Sequence, residues 1–450
     1  MTHVGNSAEQ YRALSFWHDT VPDDLSPREP LPGDTEADVA IIGAGLTGLW
    51  TAYYLLEADP SLRIVVLEKH IAGFGASGRN GGWCSALFPA STAALERRHG
   101  LEPALAMRRA MIDTIDEVGR VTAAEGIDCD FVHGGTISFA RSEVQRAAAR
   151  AEVAEAARYG VDAMELRADG GTFDPACARL HPAKLVRGLA RVVEKRGVSI
   201  FEQTEVTDFG PRVVTTKHGV VHAKNIVIAT EGYGAMFRRT HRRVLPLYSL
   251  MIATQPYEDA VWDELGIAHG QTFNDFRHLL VYGQRTADNR FAFGGRGARY
   301  HWGSAIRPKY DRSAAVFRHL RSTLEDLFPA LGTVDSTHEW GGPLGVPRDW
   351  HASVTLDGAT GIASAGGYVG DGLSTTNLAG RTLADLLTDQ PSALTTLPWV
   401  NHRSPNWEPE PLRFIGANLG LVGTAMADEE EKITSRSSVA ARLIGGLTGH

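Results

Sequence analysis

The feature that most constrains the fold is a glycine turn between a strand and a helix near the N-terminus. An apolar, β-branched run over 37–42 leads into GAGLTG (43–48), which has the spacing GxGxxG and opens a longer apolar run typical of a helix. A second β-branched run over 63–67 ends at Glu68. A strand, a helix and a strand in this order predict two parallel strands of one sheet, joined by a crossover helix.

The glycine spacing predicts that this turn binds a pyrophosphate. Gly43 permits the tight turn, Gly45 lets the backbone approach the phosphates, and Gly48 allows the helix to pack closely on the strand. The helix start presents unpaired N–H groups and the positive end of the helix dipole. Glu68, twenty residues after Gly48, is in place to accept hydrogen bonds from the ribose hydroxyls of an adenosine, and it disfavours a 2′-phosphate. A tight turn that binds no nucleotide is the weaker alternative, because the glycines, the helix and Glu68 all occur at the spacing of a nucleotide-binding motif.

Three further glycine-rich segments favour FAD over NAD. GFGASGRNGG (73–82) follows the second strand directly, where a nicotinamide dehydrogenase would continue through regular strand–helix repeats. Glycine-rich turns also occupy 230–234 and 366–372, far away in the sequence. Because glycine lets a backbone approach a ligand closely, several such segments converging on one large ligand suit the isoalloxazine ring of FAD.

These segments, taken in order, resemble the D-amino-acid oxidase (DAO)-type family of FAD-dependent amine oxidoreductases, which includes glycine oxidase and sarcosine oxidase. The resemblance runs from about 36 to 390 through DVAIIGAGLTGLWTAYYL, VVLEKHIAGFGASGRNGG, NIVIATEGYG and GGYVGDGLSTTNLAGRTLADL. GASGRNGG, HEWGG (338–342) and SFWHDT (15–20) are most similar to the gamma-glutamylputrescine oxidoreductase-like branch. The resemblance implies an α/β fold, with a Rossmann-like, glutathione-reductase-type FAD-binding domain and an interleaved α+β substrate domain that contains an antiparallel sheet.

Changes of pattern along the chain predict where these domains lie. Strand–helix–strand units recur in three separate stretches, whereas VLPLYSLMIATQP, RHLLVYGQRT and RFAFGGRG have the character of antiparallel strands. The N-terminal stretch is polar and dotted with proline, which predicts an irregular arm. The predicted division is an arm over 1–36, a discontinuous FAD-binding domain over 37–94, 181–243 and 346–398, a discontinuous substrate domain over 95–180 and 244–345, and a partly helical tail over 399–450.

The resemblance implies FAD contacts residue by residue. The glycine turn holds the pyrophosphate, Glu68 holds the adenosine ribose, and residues 76–82 run along the ribityl chain and the flavin ring, with Arg79 supporting the loop. The turn over 370–375 faces the pyrimidine end of the flavin, where the dipole of the following helix stabilises negative charge on the reduced ring. The implied contacts are Gly43, Gly45, Leu46, Thr47 and Gly48; Glu68 and, beside the adenine, Lys69 and Val206; Gly75, Ala76, Ser77, Arg79, Asn80, Gly81 and Gly82; Ala229, Thr230 and Gly232; and Gly370, Gly372, Leu373, Ser374 and Thr375.

Two features depart from the pattern of the family. Oxidases of the family usually have histidine between the two glycines of the 370–372 turn, and this chain has Asp371. A carboxylate there either binds a cationic amine group or caps the following helix, and both interpretations stay open. Cys84 and His70 do not match the positions at which some relatives attach flavin covalently, so we expect FAD to be bound non-covalently.

The reaction that the resemblance implies is oxidation of the C–N bond of a small amine or amino acid. Hydride passes from the carbon bearing nitrogen to flavin N5, the imine hydrolyses to an aldehyde or keto acid, and O2 reoxidises the flavin with release of H2O2. We expect an oxidase, and the sequence leaves a dehydrogenase open as the alternative. A flavin monooxygenase that depends on NAD(P)H is the alternative, although ATEGYG (229–234) matches the flavin motif expected of that class poorly.

Candidate substrate contacts lie mainly on strands of the second domain. An arginine there can clamp a carboxylate or phosphonate bidentately, whereas tyrosine and tryptophan fit core or domain-interface positions equally well. The candidates are Tyr248, Arg285, His338, Trp340 and Asp371, together with Tyr282 and Arg348.

Composition argues against several other classes of protein. The net charge of -8 and the pI of about 6.1 disfavour nucleic acid as a partner. The three cysteines show no CxxC spacing, so we expect neither a disulfide framework nor a metal site. No apolar run is long enough to span a membrane, and no basic segment followed by an apolar run marks a signal peptide. We therefore expect a cytoplasmic protein; its oligomeric state is left open.

Overall fold

The computed structural model describes residues 7–160, 163–434 and 438. Residues 1–6 of the predicted arm, and residues 435–437 and 439–450 of the predicted tail, lie outside this part of the chain. Two large sheets dominate what is described, and each is built from segments that are distant in the sequence. The predicted α/β fold with a second, largely antiparallel sheet is confirmed.

The strands pass back and forth between the sheets along the chain, so neither sheet comes from one continuous segment. In chain order the strands are β1 (Thr35–Ile42), β2 (Ile64–Leu67), β3 (Trp83–Ser85), β4 (Thr136–Phe139), β5 (Glu165–Leu166), β6 (Thr172–Asp174), β7 (Cys177–Arg179), β8 (Ser199–Phe201), β9 (Val206–Gly210), β10 (Val213–Thr216), β11 (Val220–Ile228), β12 (Leu245–Thr254), β13 (Thr272–Asp275), β14 (Val281–Arg285), β15 (Phe291–Gly295), β16 (Ser336–Val346), β17 (Ser353–Asp357) and β18 (Ile362–Gly366).

The helices connect these strands and supply much of the buried apolar surface. In chain order they are α1 (Ala8–Arg12), α2 (Phe16–Thr20), α3 (Leu46–Ala58), α4 (Thr92–His99), α5 (Leu101–Ala124), α6 (Glu143–Tyr159), α7 (Pro182–Lys195), α8 (Asp259–Leu265), α9 (Ala314–Leu327), α10 (Gly372–Leu387) and α11 (Leu412–Thr434). Within the described residues, each of them is too short or too polar to cross a bilayer.

The first sheet is mainly parallel and has the strand order β17–β18–β11–β1–β2–β8. β1 pairs in parallel with β2 and with β11, and β11 pairs in parallel with β18. One face of the sheet packs against α3, α7 and α10, while the β9–β10 side covers the other. Strands buried on both faces read as continuous apolar runs, and the strand–helix–strand unit predicted around the glycine turn is confirmed.

The second sheet has the order β16–β12–β15–β14–β13–β4–β6–β5. β12 pairs antiparallel with both β15 and β16, and β14 pairs antiparallel with β13 and β15. A cluster of aromatic and aliphatic side chains fixes α9 to one face of this sheet. The other face is turned toward the glycine-rich loop over 73–82 and toward the N-terminal helices.

The long helix α5 shares the core of the first sheet. Its buried side chains Met107, Met111 and Val118 pack in the same cluster as α3 and α10. The predicted substrate domain began at residue 95 and included this helix. The division into domains stays a prediction. The packing of α5 differs from it, because α5 shares the core of the first sheet.

Part of the predicted irregular arm is helical. Ser7 and Ser15 cap α1 and α2 through their side chains. Phe16 and Trp17 are buried against Trp340 of β16. The prolines that suggested an irregular segment all follow these helices in the sequence, so they interrupt neither.

Candidate active site

Four predicted cofactor segments meet at one edge of the first sheet. β1, β2, β11 and β18 run parallel, so their carboxyl ends lie side by side. The glycine turn follows β1, Glu68 follows β2, and Ala229 and Thr230 follow β11. The turn over 367–371 follows β18. This is the edge at which parallel sheets bind nucleotides.

The glycine turn is packed so closely that side chains would not fit. Gly43 has a φ of +108°, and a Cβ there would lie 2.6 Å from the carbonyl oxygen of Ala229. A Cβ on Gly48 would lie 2.2 Å from the carbonyl oxygen of Gly43, and one on Gly45 would lie 2.9 Å from Ser77 Oγ. The turn is therefore closely packed at all three glycines, as predicted for Gly43 and Gly48, while the phosphate contact of Gly45 stays a prediction.

Glu68 is partly buried and directly follows the last residue of β2. Its carboxylate accepts hydrogen bonds from the N–H groups of Ala44 and His70 at 3.0 and 2.8 Å. Burial raises the pKa of Glu68 to about 7, although these backbone hydrogen bonds lower it in part. Lys69 forms an ion pair with Glu205 at 2.6 Å. That pair brings Lys69 next to the start of β9 at Val206, the other residue predicted beside the adenine.

Side chains from other parts of the chain hold the loop over 73–82 by donating hydrogen bonds to its carbonyl groups. Those of four consecutive residues, 78–81, accept hydrogen bonds from side chains of the arm and of the second sheet. The donors are Ser15 Oγ to Gly78 at 3.4 Å, Trp340 Nε1 to Arg79 at 2.9 Å, Trp17 Nε1 to Asn80 at 2.8 Å, and Gln284 Nε2 to Gly81 at 2.6 Å. We call these four bonds the loop clamp.

The long side chains of the same loop brace it from within. Arg79 donates to the carbonyl of Phe74 and forms a buried ion pair with Asp311 at 2.7 Å. Asn80 Nδ2 donates to the carbonyl of Ala76 at 3.0 Å, and Asn80 Oδ1 accepts from Gly82 N–H at 2.8 Å. These contacts support the prediction that Arg79 serves the loop and is not a substrate ligand.

The start of α10 faces the same loop across a cavity. Asp371 is the N-cap residue, and its side chain makes no capping hydrogen bond. The hydroxyls of Ser374 and Thr375 are occupied, donating to the carbonyls of Ser85 and Asp371 respectively, both at 2.5 Å. Of the two interpretations of Asp371, the capping interpretation is therefore wrong.

The cavity lies between the 73–82 loop, the start of α10 and the second sheet. Three of its ionisable side chains interact electrostatically: Asp371, Arg296 and Tyr282. Burial raises the pKa of Asp371 to about 6, and the Arg296 guanidinium lowers it in part. Burial lowers the pKa of Arg296 and raises that of Tyr282. The lining residues are Ala76, Arg79, Asn80, Gly81, Trp83, Ser85, Leu87, Ser249, Met251, Asn274, Leu280, Tyr282, Arg296, Gly342, Leu344, Gly370, Asp371 and Leu373.

Of the predicted substrate contacts, only Asp371 and Tyr282 line this cavity. Tyr248 packs against Tyr310 under the opposite face of the sheet. Arg285 forms an ion pair with Asp259 at 2.5 Å.

The remaining candidates also serve structural contacts. His338 contacts Asp19 of the arm at 3.1 Å, Trp340 belongs to the loop clamp, and Arg348 forms an ion pair with Glu408.

Strand alternation explains these misses. Successive side chains of a strand point to opposite faces. On β12, Ser249 and Met251 therefore face the cavity while Tyr248 faces α9. On β14, Tyr282 lies on the cavity face and Arg285 on the other.

Several residues of the cavity and of the loop clamp were not predicted from the sequence. Arg296 follows the last residue of β15, Asn274 lies on β13, and Trp17 lies on the arm. Pairing partners and register would have been needed to find them. Ser249 could have been predicted from the sequence, because it follows Tyr248 on a strand and its side chain therefore points to the opposite face.

The residues of the edge and the cavity fit FAD. The glycine turn leaves room only for backbone beside a ligand, Glu68 supplies a carboxylate for a ribose, and neither α3 nor α10 has its N-terminus closed by the side chain of its own N-cap residue. Helix N-termini of this kind bind phosphates and other anions. The fold and the site thus define a dinucleotide-binding protein with a cavity between two sheets.

Comparison with known proteins identifies the family. The family model described as FAD dependent oxidoreductase (DAO) matches residues 38–386. Gamma-glutamylputrescine oxidoreductase of Escherichia coli (strain K12) is 30% identical over 381 residues, which cover 80% of this chain and 86% of that protein. A probable oxidoreductase, OrdL, of Haemophilus influenzae is 29% identical over 406 residues, covering 85% and 90%. The chain belongs to the DAO family of FAD-dependent oxidoreductases, and FAD is its cofactor.

Solved structures agree on the fold. Glycine oxidase from Geobacillus kaustophilus superposes with a TM-score of 0.66 at 19% identity, covering 82% of this chain and 99% of that one. L-proline dehydrogenase from P. horikoshii gives the same TM-score at 18% identity, covering 82% and 96%. The predicted DAO-type architecture is confirmed.

Proposed function

We propose that the protein oxidises the C–N bond of a small amine or amino acid in the cavity beneath α10. Its class, an FAD-dependent oxidoreductase acting on amines or amino acids, follows from the family. The observation that supports the finer proposal is the Asp371 carboxylate. It is partly buried, makes no capping hydrogen bond, and lines the cavity beside Tyr282 and Arg296.

Asp371 is proposed to bind the cationic amine of the substrate. A buried carboxylate is stable when it is paired, and an ammonium group supplies both charge and donors. Tyr282, held by a 2.8 Å hydrogen bond between its hydroxyl and that of Ser249, forms the wall on the second sheet. Most of the other wall residues are apolar, among them Leu280 and Leu344. This lining favours an amine attached to an apolar chain.

FAD, when bound, accepts the hydride from the carbon that bears the nitrogen. The chain's own residues hold the two reactants. The loop clamp and Arg79 fix the 73–82 loop, and Ser374 ties the start of α10 to the end of β3. Orientation of the C–H bond by such fixed surfaces lowers the barrier without a side-chain base. We propose non-covalent FAD, because the Cys84 side chain belongs to the core cluster of the first sheet and His70 stacks on Phe74.

We also propose that O2 reoxidises the flavin, which makes H2O2 the second product. The cytoplasmic location stays a prediction. The purified yellow protein, in air and without NAD(P)H, is expected to release H2O2 with at least one member of a panel of amines and amino acids. Release of product without H2O2, with turnover only on addition of an artificial acceptor, would instead assign a dehydrogenase.

Asp371→Asn tests the proposed amine site. A hydrogen bond to a charged group contributes about 1.5–3 kcal/mol, so KM for the amine is expected to rise about tenfold to a hundredfold while the flavin stays bound. Asp335→Asn, which removes an exposed carboxylate just before β16, is the matched control and is expected to leave KM unchanged. An unchanged KM in Asp371→Asn would contradict the assignment of this residue.

A further inference from the structure

The outward face of α11 is apolar along its first four turns. Five side chains on this face each leave between 50% and 63% of their surface exposed. Between Phe414 and Ala427 the chain has no charged residue. We call this face the α11 seam, and its residues are Leu412, Ile415, Leu419, Val422 and Met426.

The opposite face fixes α11 to the body of the protein. Asn418 Nδ2 donates to the carbonyl of Tyr300 at 3.2 Å. The carboxylate of Asp428 accepts from the backbone N–H groups of His278 and Leu279 at 2.6 and 2.8 Å. The helix is therefore anchored by polar contacts along its length, and the seam is presented on a fixed element.

The seam has the spacing of a helix that packs against another helix. Its successive members are three, four, three and four residues apart, which is the heptad spacing that keeps one apolar stripe facing a partner helix. On a surface helix of a monomer such a stripe normally faces the protein core, whereas here it faces outward. Trp302, itself exposed, lies 5.7 Å from Phe414 between ring centres and extends the patch at one end.

The size of the patch fits half of a protein interface. At roughly 100 Å² of exposed apolar area for each large side chain, the seam and Trp302 present on the order of 600 Å², the upper limit of the patches that monomers commonly expose. One partner contributes about 800 Å² to a standard interface. The seam and Trp302 alone therefore present most of the area that one partner needs.

We propose that the α11 seam binds the same seam of a second copy of this chain, with the two helices antiparallel about a two-fold axis at Leu419. In this register large residues face small ones: Ile415 lies opposite Gly423 of the partner subunit, and Val422 lies opposite Gly416 of the partner subunit. A Cβ on Gly416 or Gly420 would meet no atom within 4 Å in the described part of the chain, so both leave room for a second helix. A two-fold contact of one patch with itself is the commonest form of homodimer.

Charge selects the antiparallel orientation. The last turns of α11 contain Asp428, Glu430 and Glu431, and a parallel pair would bring two such acidic ends together. An antiparallel pair instead places each acidic end near the N-terminus of the other helix, where the helix dipole is positive. The acidic residues before that N-terminus are already in ion pairs, Glu408 with Arg348 and Glu410 with Arg413.

Sedimentation velocity of the full-length, FAD-loaded protein tests the proposal. The wild type is expected to sediment as a dimer and Leu419→Glu as a folded monomer with the same flavin content. Leu101→Glu, which places the same charge on an exposed leucine of α5, is the matched control and is expected to stay dimeric. A dimeric Leu419→Glu, or a wild type that is monomeric at every concentration, overturns the proposal.

Cysteine cross-linking tests the orientation and identifies a different occupant of the seam. Combining Leu412→Cys with Met426→Cys is expected to link two chains under oxidation, while either substitution alone links few, because Leu412 faces Met426 of the partner subunit. The native cysteines Cys84, Cys129 and Cys177 are buried and do not interfere. Efficient linking by each single variant would assign a parallel pair and contradict the antiparallel register. A monomer in which the thiol introduced by Leu419→Cys resists a thiol reagent would assign the seam to residues after 434.

Discussion

The cofactor end and the substrate end of the site use different parts of the chain. At the carboxyl edge of the first sheet, backbone groups brought close by Gly43, Gly45 and Gly48 form the proposed cofactor surface. Beside the second sheet, side chains such as Tyr282 and Arg296 form the proposed substrate surface. A surface made of close-packed backbone has no room for added atoms, whereas a surface made of side chains can be changed by single substitutions. Substitutions at the first end should therefore remove the cofactor, and substitutions at the second should change the substrate kinetics.

The largest effect is expected at Gly48. Gly48→Ala places a Cβ 2.2 Å from the carbonyl oxygen of Gly43. Because backbone atoms cannot rotate away, we expect a loss of about 3 kcal/mol or more in the free energy of unfolding and protein purified without flavin. Flavin absorbance per protein and urea denaturation measure both. Gly358→Ala, where a Cβ meets no described atom within 4 Å, is the control. Full flavin content in Gly48→Ala would contradict the close packing.

The pH dependence of substrate capture is the next largest effect. Burial raises the pKa of Asp371 to about 6, so its carboxylate is ionised above that pH and neutral below it. Binding of a cationic amine then needs the ionised form, and kcat/KM is expected to fall about tenfold per pH unit below 6. Asp371→Asn is expected to lose this acidic limb. An unchanged limb in the variant would assign the titration to another group.

The loop clamp should show as an effect on flavin affinity. Trp17→Phe leaves the carbonyl of Asn80 without its indole donor, and an unsatisfied buried polar group costs about 1–3 kcal/mol. We expect the Kd for FAD to rise about tenfold in reconstitution of the apoprotein. Trp399→Phe is the matched control, because its buried Nε1 has no hydrogen-bond partner among the described residues. It is expected to lower the stability of the protein without changing the Kd for FAD. Equal Kd values in the two variants would contradict a contribution of the loop clamp to FAD binding.

The smallest effect separates two neighbouring tyrosines. Tyr282 lines the cavity and Tyr248 lies on the other face of the sheet. Tyr282→Phe loses one hydroxyl in the cavity and is expected to raise KM a few-fold, since a neutral hydrogen bond contributes about 0.5–1.5 kcal/mol. Tyr248→Phe is expected to leave KM within about twofold. Steady-state kinetics on a common amine, each rate divided by the bound flavin, checks both, and the reverse ranking would contradict the assignment of faces.

The same contrast explains what the sequence could predict. The glycine turn, Glu68 and the 73–82 loop were found because their spacing along one stretch of chain sets their geometry. Tyr248 and Arg285 were chosen by residue type alone, and strand alternation places both on the face away from the cavity. The loop clamp joins Trp17 to Asn80 across 63 positions of the chain. No local pattern contains that contact, so it required the fold.

The resemblance to a family supplied a further part of the prediction. It led to FAD and to the 370–375 turn, which the structure places at the start of α10. It left two interpretations of Asp371 open. The absence of a capping bond on this side chain and its position beside Arg296 support the proposed amine contact.

Anaerobic reduction of the bound flavin tests the central claim most directly. The FAD-loaded protein, mixed without O2 with single amines and amino acids and in the absence of NAD(P)H, is expected to lose its visible flavin absorption with at least one of them. In Asp371→Asn that substrate should reduce the flavin only at a much higher concentration. Bleaching by NAD(P)H alone, with no amine or amino acid active, would contradict amine oxidation at this site.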